Sequence, residues 1–184
     1  MRRTLTVILL AVLAGACAST PPTEYYTLDM QPSRQVQAPV NISIARIMVG
    51  EALSRRDIMI KESPTRIEYY ATSQWAAGLD EMVRQKLEEE FGSRVEGRPS
   101  YALSGQILAF EQIDAPGGAD ARVKLAIELR GEQASRHDAP ALIKTYEAQK
   151  KANTERPQDV VLALSQLVEA IAAEIAADAA ALQQ

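Results

Sequence analysis

The chain has few of the side chains from which enzymes build catalytic and metal sites. Its 184 residues include one cysteine and one histidine, so neither an internal disulfide nor a cysteine-rich zinc site can form. One tryptophan and two phenylalanines leave the core mainly to aliphatic side chains. The formal net charge is −4, whereas a nucleic-acid-binding domain is strongly basic. This composition argues against an enzyme and against a nucleic-acid partner.

The motifs of known catalytic and cofactor sites are also missing. The chain contains no G-x-S-x-G, H-E-x-x-H, P-loop or G-x-G-x-x-G pattern. His137 precedes Asp138 in a polar stretch, where we expect a solvated loop rather than a catalytic or metal-binding residue. Gly117-Gly118 is typical of a hairpin loop, and Glu88-Glu89-Glu90 of a solvated helix face. We therefore expect no catalytic residue, no bound metal and no cofactor.

The first sixteen residues have the pattern of a bacterial secretory signal. Arg2 and Arg3 are followed by an almost entirely apolar run over residues 5–16. As a helix this run would span about 18 Å, which is well short of the ~30 Å hydrocarbon core of a bilayer. It is therefore too short to cross a membrane and suits the apolar part of a signal peptide.

The only cysteine lies at the position that a lipoprotein signal requires. Ala14-Gly15-Ala16 directly precede Cys17, which resembles a bacterial lipobox, although leucine is commoner where Ala14 stands. In such a signal the cysteine takes a diacylglycerol thioether and becomes the mature N-terminus. The alternative is ordinary secretory cleavage near Ala16, which would leave a free thiol. We predict a signal peptide over 1–16, a lipidated Cys17 with a tether over 17–24, and a periplasmic α+β domain over 25–184.

The residues after the cysteine indicate which membrane holds the protein. Gram-negative lipoproteins kept at the inner membrane usually carry Asp after the cysteine, and here Ala18 and Ser19 follow. This resemblance implies the outer membrane, with the domain in the periplasm. The tether over 18–24 contains Pro21-Pro22 and reaches about 23 Å at most, so the domain stays close to its membrane.

Alternation of apolar and polar residues predicts most of the strands. Residues 40–44 alternate and then change phase near Arg46, which indicates a bulge or the end of the strand. Turn residues over 63–65 separate two short strands and favour a hairpin. Further strands are predicted over residues 25–28, 101–111, 121–131 and 142–148, and the last three should form an antiparallel meander.

Two helices are predicted from periodic apolar residues. The first should run from Gln74 to Phe91, with Thr72 or Ser73 as its cap, Trp75 in the core and Gly92 as its stop. The second should begin near residues 155–159 and continue to about Leu182. A coiled coil is the alternative for the second helix. The predicted fold is a single two-layer α+β domain, with two helices packed on one face of a mostly antiparallel sheet.

Several short motifs resemble those of one known family. Tyr25-Tyr26-Thr27-Leu28 follow the tether, and residues 52–60 and 67–70 come next. Trp75, Ala76 and Leu79 match a Trp-Ala-x-x-Leu pattern. The mature chain thereby resembles the ABC-type transport auxiliary lipoproteins, also called PqiC-like.

The resemblance implies a role without catalysis. Members accompany an ABC ATPase, a permease and MCE-domain proteins, and these systems move lipids across the periplasm or maintain the outer membrane. The implied partners are an MCE-domain periplasmic protein, the outer membrane through the lipid anchor, and copies of the chain itself. An assembly factor for another envelope machine, such as a secretion pore or lipopolysaccharide insertion, is the alternative. An envelope hydrolase ranks last.

Replacing Cys17 with serine should abolish acylation and lipoprotein-type cleavage, because serine offers no thiol to carry the thioether. Mass spectrometry of the mature wild-type protein should find acyl chains on Cys17. An unmodified mature N-terminus in the wild type would refute lipidation.

Overall fold

The computed structural model describes residues 21–33, 39–135 and 137–183. Within them lie seven strands, two α-helices and a short 3-10 turn over Glu51–Leu53. The strands and helices are β1 (Glu24–Tyr26), β2 (Asn41–Val49), β3 (Asp57–Ser63), β4 (Arg66–Trp75), α1 (Leu79–Phe91), β5 (Ser100–Ala115), β6 (Gly118–Gly131), β7 (Leu142–Lys151) and α2 (Pro157–Ala181).

One long strand organises the sheet. The seven strands form a single sheet in the order β1-β4-β3-β5-β6-β7, and β2 pairs with β5 beside β3. The whole of one side of β5 pairs with β6, while β2 and β3 share its other side. The β3–β4 hairpin and the antiparallel β5-β6-β7 meander are confirmed. The α+β fold class is confirmed. The sheet is mixed, because the pairs β1–β4, β2–β5 and β3–β5 are parallel.

Alternating burial identifies the face of the sheet that forms the core. Along β6 the odd-numbered residues from 119 to 129 are buried, and they face the helices. Helix α2 packs on β6 and β7, helix α1 packs on β2, and the two helices contact each other. The sheet and one layer of helices therefore make the two-layer arrangement that the sequence predicts.

Helix α2 belongs to this core along most of its length. The predicted stripe is buried throughout: Val160, Leu164, Leu167, Val168, Ile171 and Ile175. By length and composition α2 could cross a membrane, but most of its apolar window is buried inside the domain. Tyr146 on β7 adds a polar link, since its hydroxyl donates to the Asp178 carboxylate on α2 at 2.7 Å. The helix thus packs within its own chain, and this does not favour the coiled-coil alternative.

The predicted start of the first helix, at Gln74, is wrong by five residues. Gln74 and Trp75 end β4, and the helix begins only after Gly78. The Trp75 backbone N–H donates to the Arg56 carbonyl at 2.6 Å, and Tyr26 pairs with Trp75 across the parallel β1–β4 ladder. These strand contacts keep Thr72 and Ser73 out of the capping position. Local apolar spacing could not reveal them, because the partners are distant in sequence.

Other boundaries differ by a few residues. The first strand ends at Tyr26 rather than Leu28, and Leu28 is buried in the core instead. The predicted bulge in β2 is present, between Ile44 and Arg46. Gly92 ends α1 with a φ of +69°, a conformation that glycine adopts without steric cost. The change of phase in the strand alternation thus predicted the bulge, and the turn chemistry of glycine predicted the stop.

The sheet face opposite the helices carries paired charges. Lys124 on β6 contacts Glu147 on β7 at 2.8 Å, and Arg122 contacts Glu147 at 3.2 Å. Glu111 on β5 lies 3.7 Å from Arg122 and is itself buried, and this burial raises the pKa of its carboxyl group. Cross-strand ion pairs of this kind suit a face that the described helices leave uncovered.

Replacing Trp75 with alanine should lower the free energy of unfolding by ~3–5 kcal/mol. The side chain is 2% exposed and packs edge-to-face on Phe110, with ring centroids 5.7 Å apart. Denaturant unfolding of the purified domain measures the loss. An unchanged stability would show that the ring is dispensable to the core.

Candidate functional site

The residues considered as catalytic or metal-binding candidates do not assemble into a site. Cys17 lies outside the described residues. His137 is exposed in the loop after β6, and its backbone N–H donates to the Ser135 hydroxyl at 3.2 Å. Across residues 21–33, 39–135 and 137–183, no group of three or more His, Cys, Asp or Glu side chains is placed to hold a metal ion. The strongest candidate for function is instead a groove.

The groove lies beside the start of β2. It encloses about 680 Å³ and follows residues 39–44 along one wall. The opposite wall comes from the end of α1 and the loop after it, with Glu88, Phe91 and residues 92–94. A smaller hollow of about 360 Å³ shares Arg94, Arg98 and Glu132 with the groove. The larger volume falls in the range typical of ligand and peptide sites.

The groove exposes the backbone edge of β2. In the described part of the chain, β2 pairs on one side only, with β5. The Asn41 backbone N–H donates to the Pro99 carbonyl at 2.7 Å, so the polar backbone groups of Asn41 point toward β5. Because these groups alternate in direction along a strand, those of Ile42 and Ile44 point away from β5, into the groove. Such an edge can accept an extended segment of another chain.

A buried asparagine holds the end wall of the groove. The Asn41 side-chain amide donates to the Val95 carbonyl at 2.9 Å, and its oxygen accepts from the Val95 N–H at 2.8 Å. The same amide group also donates to the Arg98 carbonyl and to the Ser100 hydroxyl. These contacts fix the loop between α1 and β5 against the strand, so the groove is preformed.

The charges around the groove are largely neutralised by neighbours. Arg94 pairs with Glu132 at 2.7 Å, and Glu132 also accepts from the Ser43 hydroxyl at 3.4 Å. Glu88 pairs with Arg84 at 2.6 Å on the surface of α1. The groove therefore offers backbone hydrogen bonds and half-buried apolar side chains rather than a field of one sign.

A buried ion cluster lies behind the groove wall. Lys86 on α1 is fully buried, and its ammonium group contacts Glu90 and Glu169, each at 2.8 Å. It also donates to the Gln31 carbonyl at 2.7 Å, so three acceptors satisfy its three protons. The expectation that Glu88-Glu89-Glu90 form a solvated face is wrong for Glu90, which is buried because Lys86 compensates its charge.

The cluster also ties the N-terminal segment to both helices. The Ser33 hydroxyl donates to the Glu90 carboxylate at 2.6 Å, and the Ser33 backbone N–H donates at 3.0 Å. Nearby, the Asp29 N–H donates to the Ser165 hydroxyl on α2 at 3.0 Å. The segment over residues 28–33 is thereby held where α1 meets α2.

Opposing effects set the pKa values in this cluster. Burial acts to lower the pKa of Lys86, but hydrogen bonds to Glu169 and Glu90 outweigh it and raise the pKa above the usual value. Burial likewise acts to raise the pKa of Glu90, but hydrogen bonds from Lys86 and Ser33 lower it below the usual value. Both groups are charged at neutral pH.

Neither Lys86 nor Asn41 was identified as important from the sequence. A signal for Lys86 was present, because it falls three residues after Val83 and four after Met82, on the apolar face of the helix. A charged residue on that face indicates a buried pair, although it does not identify the partners. Asn41 carried no such signal, since it opens a strand as an ordinary polar residue.

Comparisons with known proteins support the fold and the family. The model of the family described as "ABC-type transport auxiliary lipoprotein component" matches residues 26–176. No curated protein sequence matches the chain. A crystal structure from Xanthomonas campestris, assigned to the family model DUF330, is similar with a TM-score of 0.68 at 15% identity, over 88% of this chain and 96% of that one. A second solved structure, of an uncharacterised protein, has a TM-score of 0.65 at 15% identity, over 86% and 99% of the two chains.

Replacing Lys86 with alanine should destabilise the protein by about 3–5 kcal/mol, because the buried Glu90 and the half-buried Glu169 would lose their compensating charge. Urea unfolding measures the change. The matched control is Arg84→Ala, which removes ion pairs from the surface of the same helix and should cost at most about 1 kcal/mol. Equal effects of the two substitutions would refute a special role for the cluster.

The same cluster predicts how stability varies with pH. The pKa of Glu90 is lower in the folded protein, so its contribution is present above the usual glutamate pKa and is lost as the pH falls through the lowered value. The pKa of Lys86 is raised, so its contribution is present below the usual lysine pKa and is lost as the pH rises through the raised value. In Glu90→Gln, the acid-side loss of unfolding free energy should be smaller than in the wild type.

Proposed function

Because the chain belongs to the ABC-type transport auxiliary lipoprotein family, we propose that it is the outer-membrane component of an ABC/MCE system that moves lipids across the periplasm or maintains the outer membrane. The match to the family over residues 26–176 carries this proposal. Membership of the family makes the chain an auxiliary lipoprotein of an ABC-type transport system, and hence a membrane-anchored protein of the cell envelope. The MCE partner, the lipid cargo and the outer membrane are proposed.

In this proposal the protein acts by binding and has no chemistry of its own. The energy for transport comes from an ATPase elsewhere in the system. The auxiliary protein holds the periplasmic part of the machine against its membrane through Cys17. Ala18, which stands where inner-membrane lipoproteins usually carry Asp, supports the outer membrane as the location.

The edge of β2 is the proposed contact with the partner. It offers the outward backbone groups of Ile42 and Ile44 beside a preformed groove of about 680 Å³. An extended segment of the MCE-domain protein would add a strand there, with backbone hydrogen bonds providing affinity and the groove accepting alternate side chains. Because the groove charges are paired within the chain, this contact should depend only weakly on salt.

A photoreactive residue in place of Ser43 should cross-link the MCE-domain protein in intact cells, because Ser43 is exposed and lines the groove. The matched control is the same substitution at Thr145, an exposed hydroxyl residue on the edge strand β7. Mass spectrometry identifies the captured protein. Capture of the MCE-domain protein from Thr145 alone would refute the β2 contact. Capture of an outer-membrane β-barrel protein from Ser43 would favour an assembly factor for another envelope machine.

A further inference from the structure

Three connections of the sheet lie together at one end of the domain. Strand β3 runs parallel to β5, with Ile60 opposite Gln112, so the β3–β4 turn and the β5–β6 turn are at the same end. Strand β7 also finishes there, with Lys151 opposite Asp120, and the loop over residues 152–156 follows it. We name this the turn end.

The groove lies at the other end. Strand β2 begins opposite Ser100, the first residue of β5, and residues 39–44 line the groove. The 16 residues of β5 connect the two ends and correspond to about 50 Å of strand. We name this the groove end.

The direction of β1 shows from which end the chain enters the sheet. Strand β1 is parallel to β4, with Glu24 opposite Ser73 and Tyr26 opposite Trp75. Strand β4 begins at Arg66, directly after the β3–β4 turn. A chain that enters β1 in this direction comes from the side of the turn end.

The number of residues before β1 limits how far the anchor can lie. Cys17 stands seven residues before Glu24, and seven residues span at most about 23 Å. Arg66 stands seven residues before Ser73 along β4, and because β4 is irregular between Tyr69 and Gln74, these residues cover less than the about 23 Å of a regular strand. The tether is therefore long enough to bring Cys17 level with the β3–β4 turn, and its short length limits how far the domain can move from the anchor.

We infer that the turn end of the domain faces the bilayer that holds the acyl chains of Cys17, with the β3–β4 turn against the lipid headgroups. This inference rests on the lipidation of Cys17 that the proposed function includes. The groove end then points away from the bilayer, into the aqueous compartment from which a partner would approach.

The side chains of the turn suit a neutral headgroup surface. Pro64 and Thr65 are exposed at the turn, and Ile67 beside them is 45% exposed. Arg66 pairs with Glu62 at 2.9 Å and also with Glu68, so its charge is compensated within the hairpin. The turn therefore presents an apolar side chain and paired charges, and the acyl chains provide the binding energy.

Site-specific fluorescence in vesicles tests this orientation. Since Cys17 is the only native cysteine and its sulfur is blocked by acylation, a cysteine introduced at Thr65 is the only reactive thiol. Full-length acylated protein carrying Thr65→Cys is labelled with an environment-sensitive dye. It is then reconstituted into vesicles of phosphatidylethanolamine and phosphatidylcholine, which have no net charge, that contain a nitroxide lipid. The matched control is Gln133→Cys, an exposed position at the groove end.

Quenching by the nitroxide lipid should be several times stronger at residue 65 than at residue 133. Equal quenching at both positions means that the domain lies on its side, and stronger quenching at residue 133 means that it is inverted. Either result overturns the orientation while leaving lipidation intact. Protein that lacks acyl chains by mass spectrometry and does not float with the vesicles overturns the lipidation itself and the inference with it.

A change in tether length tests whether the short tether is what orients the domain. A long glycine–serine insertion between Thr23 and Glu24 should reduce quenching at residue 65, because the domain could then move away from the bilayer. Unchanged quenching would overturn the short tether as the constraint that orients the domain.

Discussion

The buried ammonium group of Lys86 joins three parts of the chain that are far apart in sequence. Glu90 brings in the end of α1, Glu169 brings in α2, and Gln31 brings in the segment that follows β1. Neither Lys86 nor Glu90 would be stable as a lone charge in the core, because an unpaired buried charge is strongly disfavoured. The helix pair and the N-terminal segment are therefore held together by one mutually dependent set of contacts.

The length of β5 sets the second constraint. One strand long enough to pair with β6 on one side leaves room for both β2 and β3 on the other. Strand β2 is consequently left with a free edge among the described residues, and the loop held by Asn41 turns that edge into a groove. The same long strand separates the groove from the β3–β4 turn. The proposed partner contact and the proposed membrane contact thus lie at opposite ends of one rigid sheet.

Local patterns in the sequence predicted the elements that depend on neighbouring residues. The meander, the hairpin, the bulge near Arg46 and the stop at Gly92 follow from alternation and turn chemistry, which act over a few residues. The prediction of where the first helix starts was wrong because Trp75 is held in β4 by partners from other parts of the chain. The burial of Glu90 was missed for the same reason, since its compensating contacts include Ser33 and cross a large gap in sequence.

The sequence by itself determined four features of the protein: an apolar N-terminal run followed by one cysteine, a composition poor in catalytic side chains, two amphipathic helices and a set of alternating strands. Only the tertiary structure decided which strands run parallel, which edge stays unpaired and which charged groups are buried. Strand alternation is a property of each segment, whereas pairing and burial depend on which segments meet. Many arrangements of the same segments would satisfy the local patterns, and the collective packing of the core selects one of them.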